Sequence, residues 1–308
     1  MHEVSVVVVT YNPDYSKLFQ TLYSIIVQKD VDFEIIVSDD GSKSFDKEKV
    51  EGWFKENKFT KYTIVDNKEN KGTVCNAFSG YSAATGKYIK QLSPGDYLHN
   101  DKVLAQMLSY MKEKDVRLCF GKVQAYAVEE NSEKIIFRTY NAPADLNPYI
   151  QEDKKKIQEN YLIKRDYVCG MAFLGERDLL VHYLSKLVNQ VKYAEDCMYI
   201  YIIAADVDVA FWENYVIWYE VGTGISTSGS DIWSKRIYDD NKKCFELIKD
   251  ELPKWKVAYD LNFSNGILGI AYKVVRKINR LKRRNVVDFK PDVVESDEKI
   301  LREILRSN

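Results

Sequence analysis

Hydrophobic positions follow two alternating periods along the first hundred residues. Val4–Val9 is a near-continuous apolar run, the pattern of a strand covered on both faces. Asn12-Pro13 ends it. Leu18, Leu22, Ile25 and Ile26 then recur at helical spacing. Phe33–Val37 predicts a second strand, closed by Ser38-Asp39-Asp40-Gly41-Ser42. Val50, Trp53 and Phe54 predict a helix, Tyr62–Val65 a third strand, Thr73–Ala84 a helix stopped near Gly86, and Tyr88–Leu92 a fourth strand. Strands alternating with helices predict a mainly parallel sheet with helices on both faces.

Beyond residue 100 the rhythm changes. Lys102–Lys114 reads as a helix, and Leu118–Ala127 with Lys134–Tyr140 as a strand pair. The stretch 143–166 is polar, with a charged helix-like run at Gln151–Glu159. An apolar segment at Val168–Phe173 precedes a helix at Arg177–Leu187; Ala194–Ala205 reads as helical and Ala210–Tyr219 as a strand. From about 230 the chain is helical and charged.

Composition narrows the class. The 308 residues are 45% hydrophobic and 30% charged, which suits a soluble globular chain with a sizeable core. A net charge of −1 excludes a molecule built as a whole for polyanions. Five scattered cysteines, no CxxC pair and three histidines argue against a disulfide framework or a structural zinc site. The start has no basic segment or small-residue cleavage site, and no apolar run reaches the ~18–20 residues needed to span a bilayer, so the cytoplasm is the expected compartment.

Three polar clusters fall at predicted strand ends: Thr10-Tyr11-Asn12, Ser38–Ser42 and Ser93-Pro94-Gly95-Asp96. In open α/β sheets ligands bind outside the carboxyl ends of the strands. If the first, second and fourth strands are neighbours, the clusters meet in one crevice. Neither GxGxxG after the first strand nor GxxxxGK[ST] is present, which removes the main support for dinucleotide and P-loop sites. Asp39 can accept from an N–H of a base. Asp96 can hold a divalent cation that bridges a diphosphate, because hard cations take oxygen ligands.

In this order, VSVVVVTYN, IIVSDDGS, NKGTVCNAFSGYSAATGKYIKQLSPGDYL and YAEDCMYI resemble a family-2 glycosyltransferase of the GT-A fold, over about residues 3 to 227. The resemblance implies an α/β GT-A domain over 1–228, with a nucleotide-binding half at 1–100, an acceptor half at 101–228, and a helical extension at 229–308. It implies that Thr10, Tyr11, Asn12 and Asp39 lie against the nucleoside, and that Gly72 and Asn76 lie near the donor. The family's acidic DxD-type element falls on Ser93-Pro94-Gly95-Asp96, where one carboxylate is left; Ser93 and Asp96 are the expected diphosphate residues, and Asp96 the expected ligand of Mn²⁺ or Mg²⁺. Asp196 is the implied general base of an inverting transfer, with Glu195 orienting it or touching the acceptor. Without the resemblance, two acids opening a helix are explained by its dipole. The implied reaction moves a sugar from a nucleotide-diphosphate sugar, UDP-linked by expectation, to a hydroxyl of a cell-surface glycan or lipid-linked oligosaccharide. The depleted motif also suits a different class, a non-catalytic subunit that binds a glycan or sugar nucleotide.

Two further segments invite function. Tyr219–Thr227 is Gly-rich, and Gly222 and Gly224 would permit closure over the donor. Residues 267–284 form an amphipathic pattern with seven cations and no acid between 273 and 284. That face is either simply solvated or suited to an anionic membrane surface, which would place the enzyme peripherally at the inner face of the cell membrane. The helical tail could equally serve a homodimer. Nucleic acid fits poorly, because no basic-aromatic module accompanies the run.

Overall fold

The computed structural model describes residues 2–128, 134–138, 140, 142–221, 230–264, 266, 267, 269–274, 276, 293 and 295–307. Strand β1 (Val4–Thr10) is buried at every position, as its unbroken apolar run requires. It lies between β2 (Phe33–Asp39) and β4 (Tyr88–Leu92), both parallel to it, with β3 (Tyr62–Asp66) outside β2. The register places Thr10 beside Asp39 and Val8 beside Leu92, so the polar ends of β1, β2 and β4 share one edge of the sheet. The expected adjacency is therefore present.

Helix α1 (Tyr15–Ile26) starts at Asp14, whose carboxylate accepts from the amides of Ser16 and Lys17. Helix α2 (Lys47–Glu56) buries Val50, Trp53 and Phe54. Helix α3 (Thr73–Ala83) packs on β1 and β2. A short strand that the hydrophobic pattern hides, β5 (Asp96–Leu98), follows the Pro-Gly turn. Helix α4 (Val103–Lys114) leads into β6 (Leu118–Val128), which forms the expected strand pair with β7 (Ile135–Arg138), in antiparallel orientation. The charged run expected to be helix-like at 151–159 holds a short α-helix at Lys154–Gln158, with another at Asn147–Ile150 before it and a π-helical turn at Glu159–Ile163 after it.

A 3-10 turn at Gly170–Ala172 precedes β8 (Phe173–Glu176), and α5 (Arg177–Ser185) follows. Helix α6 (Cys197–Ala204) begins just after Asp196, three residues later than the apolar pattern suggests. Strand β9 (Ala210–Glu220) runs parallel to β6 and antiparallel to β5. Among the described residues the sheet has nine strands in the order β3-β2-β1-β4-β8-β6-β9-β5, with β7 on β6. It is mixed: parallel through its first half, antiparallel around β8 and β5.

The C-terminal helices pack on this body. Helix α7 (Asp231–Glu251) lies on α6, and α8 (Lys256–Phe263) lies on α7. Helix α9 (Glu295–Arg306) packs on α1, where Leu301 and Ile304 join Tyr97, Tyr126 and Trp218 in a second apolar cluster. In the basic segment Ile267, Ile270 and Val274 are exposed, while Lys273 donates to Ser264 O and Arg276 to Asn262 Oδ1. Residues 268, 275 and 277–284, the rest of this amphipathic pattern, lie outside the described residues, as do Gly222 and Gly224. Among the described residues no helix is long and apolar enough to cross a membrane.

Candidate active site

A cleft of about 970 Å³ opens at the carboxyl ends of β1 and β4. Thr10, Tyr11, Asn12, Gly72, Asn76, Ser93, Asp96, Glu195 and Asp196 all line it. Nine of the ten expected site residues therefore face one space. The tenth, Asp39, is fully buried one residue behind the wall. Its carboxylate accepts from the amide and hydroxyl of Ser42, both at 2.6 Å, and that hydroxyl in turn accepts from the Asn12 amide. Asp39 thus shapes the TYN turn from behind, and burial raises its pKa.

Asp40, also buried, lines the cleft instead. Its two oxygens accept from the amides of Lys71 and Gly72, each at 2.9 Å. Gly72 has φ +93°, and a side chain there would meet Lys192 O at 2.4 Å, so glycine is required on both counts. Asn76 gives its amide protons to Thr10 O and Ser38 O and accepts from Ser38 Oγ and Asn67 Nδ2. That uses its whole hydrogen-bonding capacity. Asn76 therefore ties α3 to the ends of β1 and β2 and braces this side of the cleft. Thr10 Oγ1 is buried on the cleft wall and makes no hydrogen bond among the described residues. Tyr11 stands half-exposed at the mouth.

On the opposite wall, Asp196 immediately precedes α6, yet its side chain makes no cap on that helix. The carboxylate accepts from the Gly170 amide, and both residues line the cleft. The helix dipole still acts on a carboxylate at this position, but no capping hydrogen bond ties the side chain to the helix. Asp196 is open to cleft water but enclosed by protein walls, and that partial burial raises its pKa. Glu195 is raised too, first by burial and then by the Asp196 charge. It accepts from Gln91 Nε2 at 3.1 Å, and Gln91 Oε1 accepts from Tyr81 OH, a chain that fixes Glu195 from β4 and α3. The preceding strand of chain is held by α7: Asp240 accepts from the amides of Lys192, Tyr193 and Ala194. Helix α7 also brings Trp233 and Arg236 to the cleft, the guanidinium 4.7 Å from the Trp233 ring and 5.3 Å from Tyr193. Nothing in the linear sequence marked these residues.

Asp96 sits at the third corner, 6% exposed. Burial pushes its carboxyl up, and the ammonium of fully buried Lys90 opposes this. Lys90 itself is pushed down by burial and donates to Met171 O. The residues present do not fit a resident divalent cation here. Ser93 and Gly95 supply no carboxylate, and the further acid at this corner, Glu220, holds Lys17 Nζ at 2.6 Å. Among the described residues no three His, Cys, Asp or Glu side chains converge as a metal site.

A family model described as Glycosyl transferase family 2 matches residues 5–184. The chain belongs to glycosyl transferase family 2. This family membership agrees with the motif order and makes the chain a transferase by family. Uncharacterized glycosyltransferases of Rickettsia conorii and Rickettsia felis are 29% and 31% identical over 133 and 113 residues, or 43% and 37% of this chain. The matched stretches span 21% and 18% of those proteins, about a fifth of their length. Among solved structures, S. aureus TarS 1–349 in complex with UDP superposes with a TM-score of 0.55 at 16% identity, covering 98% of this chain and 78% of that one. The mannosyltransferase PcManGT of Pyrobaculum calidifontis, in complex with GDP-Man and Mn²⁺, gives 0.57 at 15% identity, covering 98% and 79%. These likenesses show the GT-A fold. Within the family 2 chain, Glu195, Asp196 and the α7 wall lie beyond the matched segment.

Proposed function

We propose that this family 2 protein is an inverting transferase that moves a sugar from a nucleoside-diphosphate sugar to an acceptor hydroxyl, with Asp196 as general base. One observation carries the reading: the Asp196 carboxylate makes no cap on its own helix, accepts from the Gly170 amide, and lines the cleft that Thr10, Tyr11 and Asp96 also line. The nucleoside lies by the Thr10-Tyr11-Asn12 turn, and the diphosphate by Ser93 and Gly95. The acceptor oxygen bonds to the anomeric carbon as the bond from that carbon to the diphosphate oxygen breaks. The acceptor proton passes to Asp196, and the electron pair leaves with the nucleoside diphosphate. Glu195, fixed through Gln91, orients the acceptor or Asp196. The Tyr193, Trp233 and Arg236 wall suits a pyranose ring, whose C–H face stacks on aromatics while its hydroxyls reach a guanidinium.

A UDP-sugar is the proposed donor, supported by the fold shared with TarS, which binds UDP and UDP-GlcNAc. The test is turnover of a panel of UDP- and GDP-sugars with and without glycan acceptors. Release of nucleoside diphosphate from one of them supports the transferase. Nucleotide binding with no turnover of any donor would favour the non-catalytic reading that the depleted motif invites.

The base acts as its anion, so activity is present above its pKa and is lost as the pH falls through it. Because burial raises that pKa, the acid limb of kcat/KM should fall above the ordinary carboxylate range of about 4. Glu195 and Asp196 titrate together, so the limb reports the pair. A midpoint at or below about 4 would remove Asp196 from this role.

A membrane-borne acceptor, such as a lipid-linked oligosaccharide, is supported by the outward Ile267, Ile270 and Val274 stripe beside the cationic run. Flotation with vesicles containing anionic lipid should recover the protein at low salt and lose it at high salt. No flotation at any salt would sink the membrane reading.

A further inference from the structure

The corner where the family's acidic motif is depleted is not empty of charge. Strand β9 runs antiparallel to β5 with Tyr219 opposite Asp96, which sets Glu220 beside Gly95. A Cβ built on Gly95 would lie 2.9 Å from Glu220 Oε2 and 3.8 Å from Lys17 Cδ. The carboxylate absent from position 95 is thus replaced, in the same volume, by one delivered from β9. On that carboxylate sits the ammonium of Lys17, at 2.6 Å. Lys17 comes from the first turn of α1, a turn fixed by the Asp14 cap, and both partners line the cleft.

We propose that Lys17, held by Glu220 over Gly95, is a built-in cation that receives the donor's diphosphate in place of a divalent metal ion. This rests on the reading of the cleft as a donor site. An ammonium has three donors, and Glu220 accepts one, so the same nitrogen can donate to phosphate oxygens while staying anchored. Gly95 has φ +99° and no side chain, which leaves the space over the turn to the ion pair. Glu220 is a positioning residue, because it sets where the ammonium stands. A cation fixed this way supplies charge to the leaving group without depending on dissolved metal.

Calorimetry with UDP and GDP on the full chain, in EDTA and in Mn²⁺, tests this for the wild type, Lys17→Met and Lys17→Arg. The wild type should bind one of the nucleotides in EDTA with an affinity within about threefold of that in Mn²⁺. Lys17→Met should lose about tenfold or more, the scale of one charge-assisted hydrogen bond, and Lys17→Arg should keep part of the affinity. Circular dichroism and Tm establish that the variants are folded. If Lys17→Met is not folded, Lys17→Gln takes its place. Binding that requires Mn²⁺, or binding that loss of the Lys17 charge leaves unchanged, overturns the proposal. A wild type that binds neither nucleotide under either condition would instead sink the donor-cleft reading beneath it.

Discussion

Asp196→Asn should reduce sugar transfer by roughly 10²–10⁴-fold, the range a positioned general base contributes. The substitution keeps the shape of the side chain and the oxygen that accepts from the Gly170 amide, but removes the site that takes the acceptor proton. Since the Asp196 side chain caps no helix and is open to the cleft, no fold-stabilising interaction is lost, and the Tm should stay within a degree or two. Nucleotide affinity should also hold, because Thr10, Tyr11 and Ser93 belong to the other wall. The loss should fall on kcat, with KM for the donor nearly unchanged. Comparing Asp196→Asn with Glu195→Gln separates the two acids. Glu195 is bound to Gln91, and its amide variant should retain more activity than Asp196→Asn at pH 7. An Asp196→Asn enzyme with wild-type kcat would exclude this residue as the base, whatever the cleft geometry.

Much of the first hundred residues was legible because the signals there are local. An apolar run such as Val4–Val9 has few alternatives to a doubly covered strand, and the polar ends of β1, β2 and β4 converge once the strands are parallel neighbours. Local signals could not rank the acids of a pair. Asp39 and Asp40 are adjacent, but side chains alternate across a strand end. The first is therefore sequestered by Ser42, and the second braces Lys71 and Gly72 at the cleft. The remaining parts of the site depend on long-range pairing. Glu220 reaches Gly95 through the register of β9 on β5, and Lys17 reaches Glu220 across 203 positions of sequence. Trp233 and Arg236 belong to a helix that reads from sequence as a charged tail, and only its packing on α6 turns one face to the cleft. Three residues, Asp96–Leu98, were too few to announce a strand, although that strand fixes the register of the whole corner.

Gly170→Ala should be nearly as damaging as loss of the base, although it adds one methyl group and removes no functional atom. Gly170 begins the 3-10 turn before β8 and has no left-handed backbone, so alanine meets no conformational objection there. The obstacle is spatial. A Cβ at this position would lie 1.7 Å from Asp196 Oδ1 and 2.5 Å from its Cγ, closer than any contact can be. Either the carboxylate swings off the Gly170 amide or the turn moves away from α6. Both displace the base by an ångström or more, and a misplacement of that size can cost about 10²-fold in rate. The cleft has room for the carboxylate to move, so the variant should fold, with a smaller change in Tm than in kcat. Crystallography or pH profiles should show the effect directly: with the Gly170 hydrogen bond gone, one interaction that lowers the Asp196 pKa is lost, and the acid limb should shift further upward. Equal kcat and an unmoved acid limb in Gly170→Ala would mean that the proton acceptor lies elsewhere in the cleft.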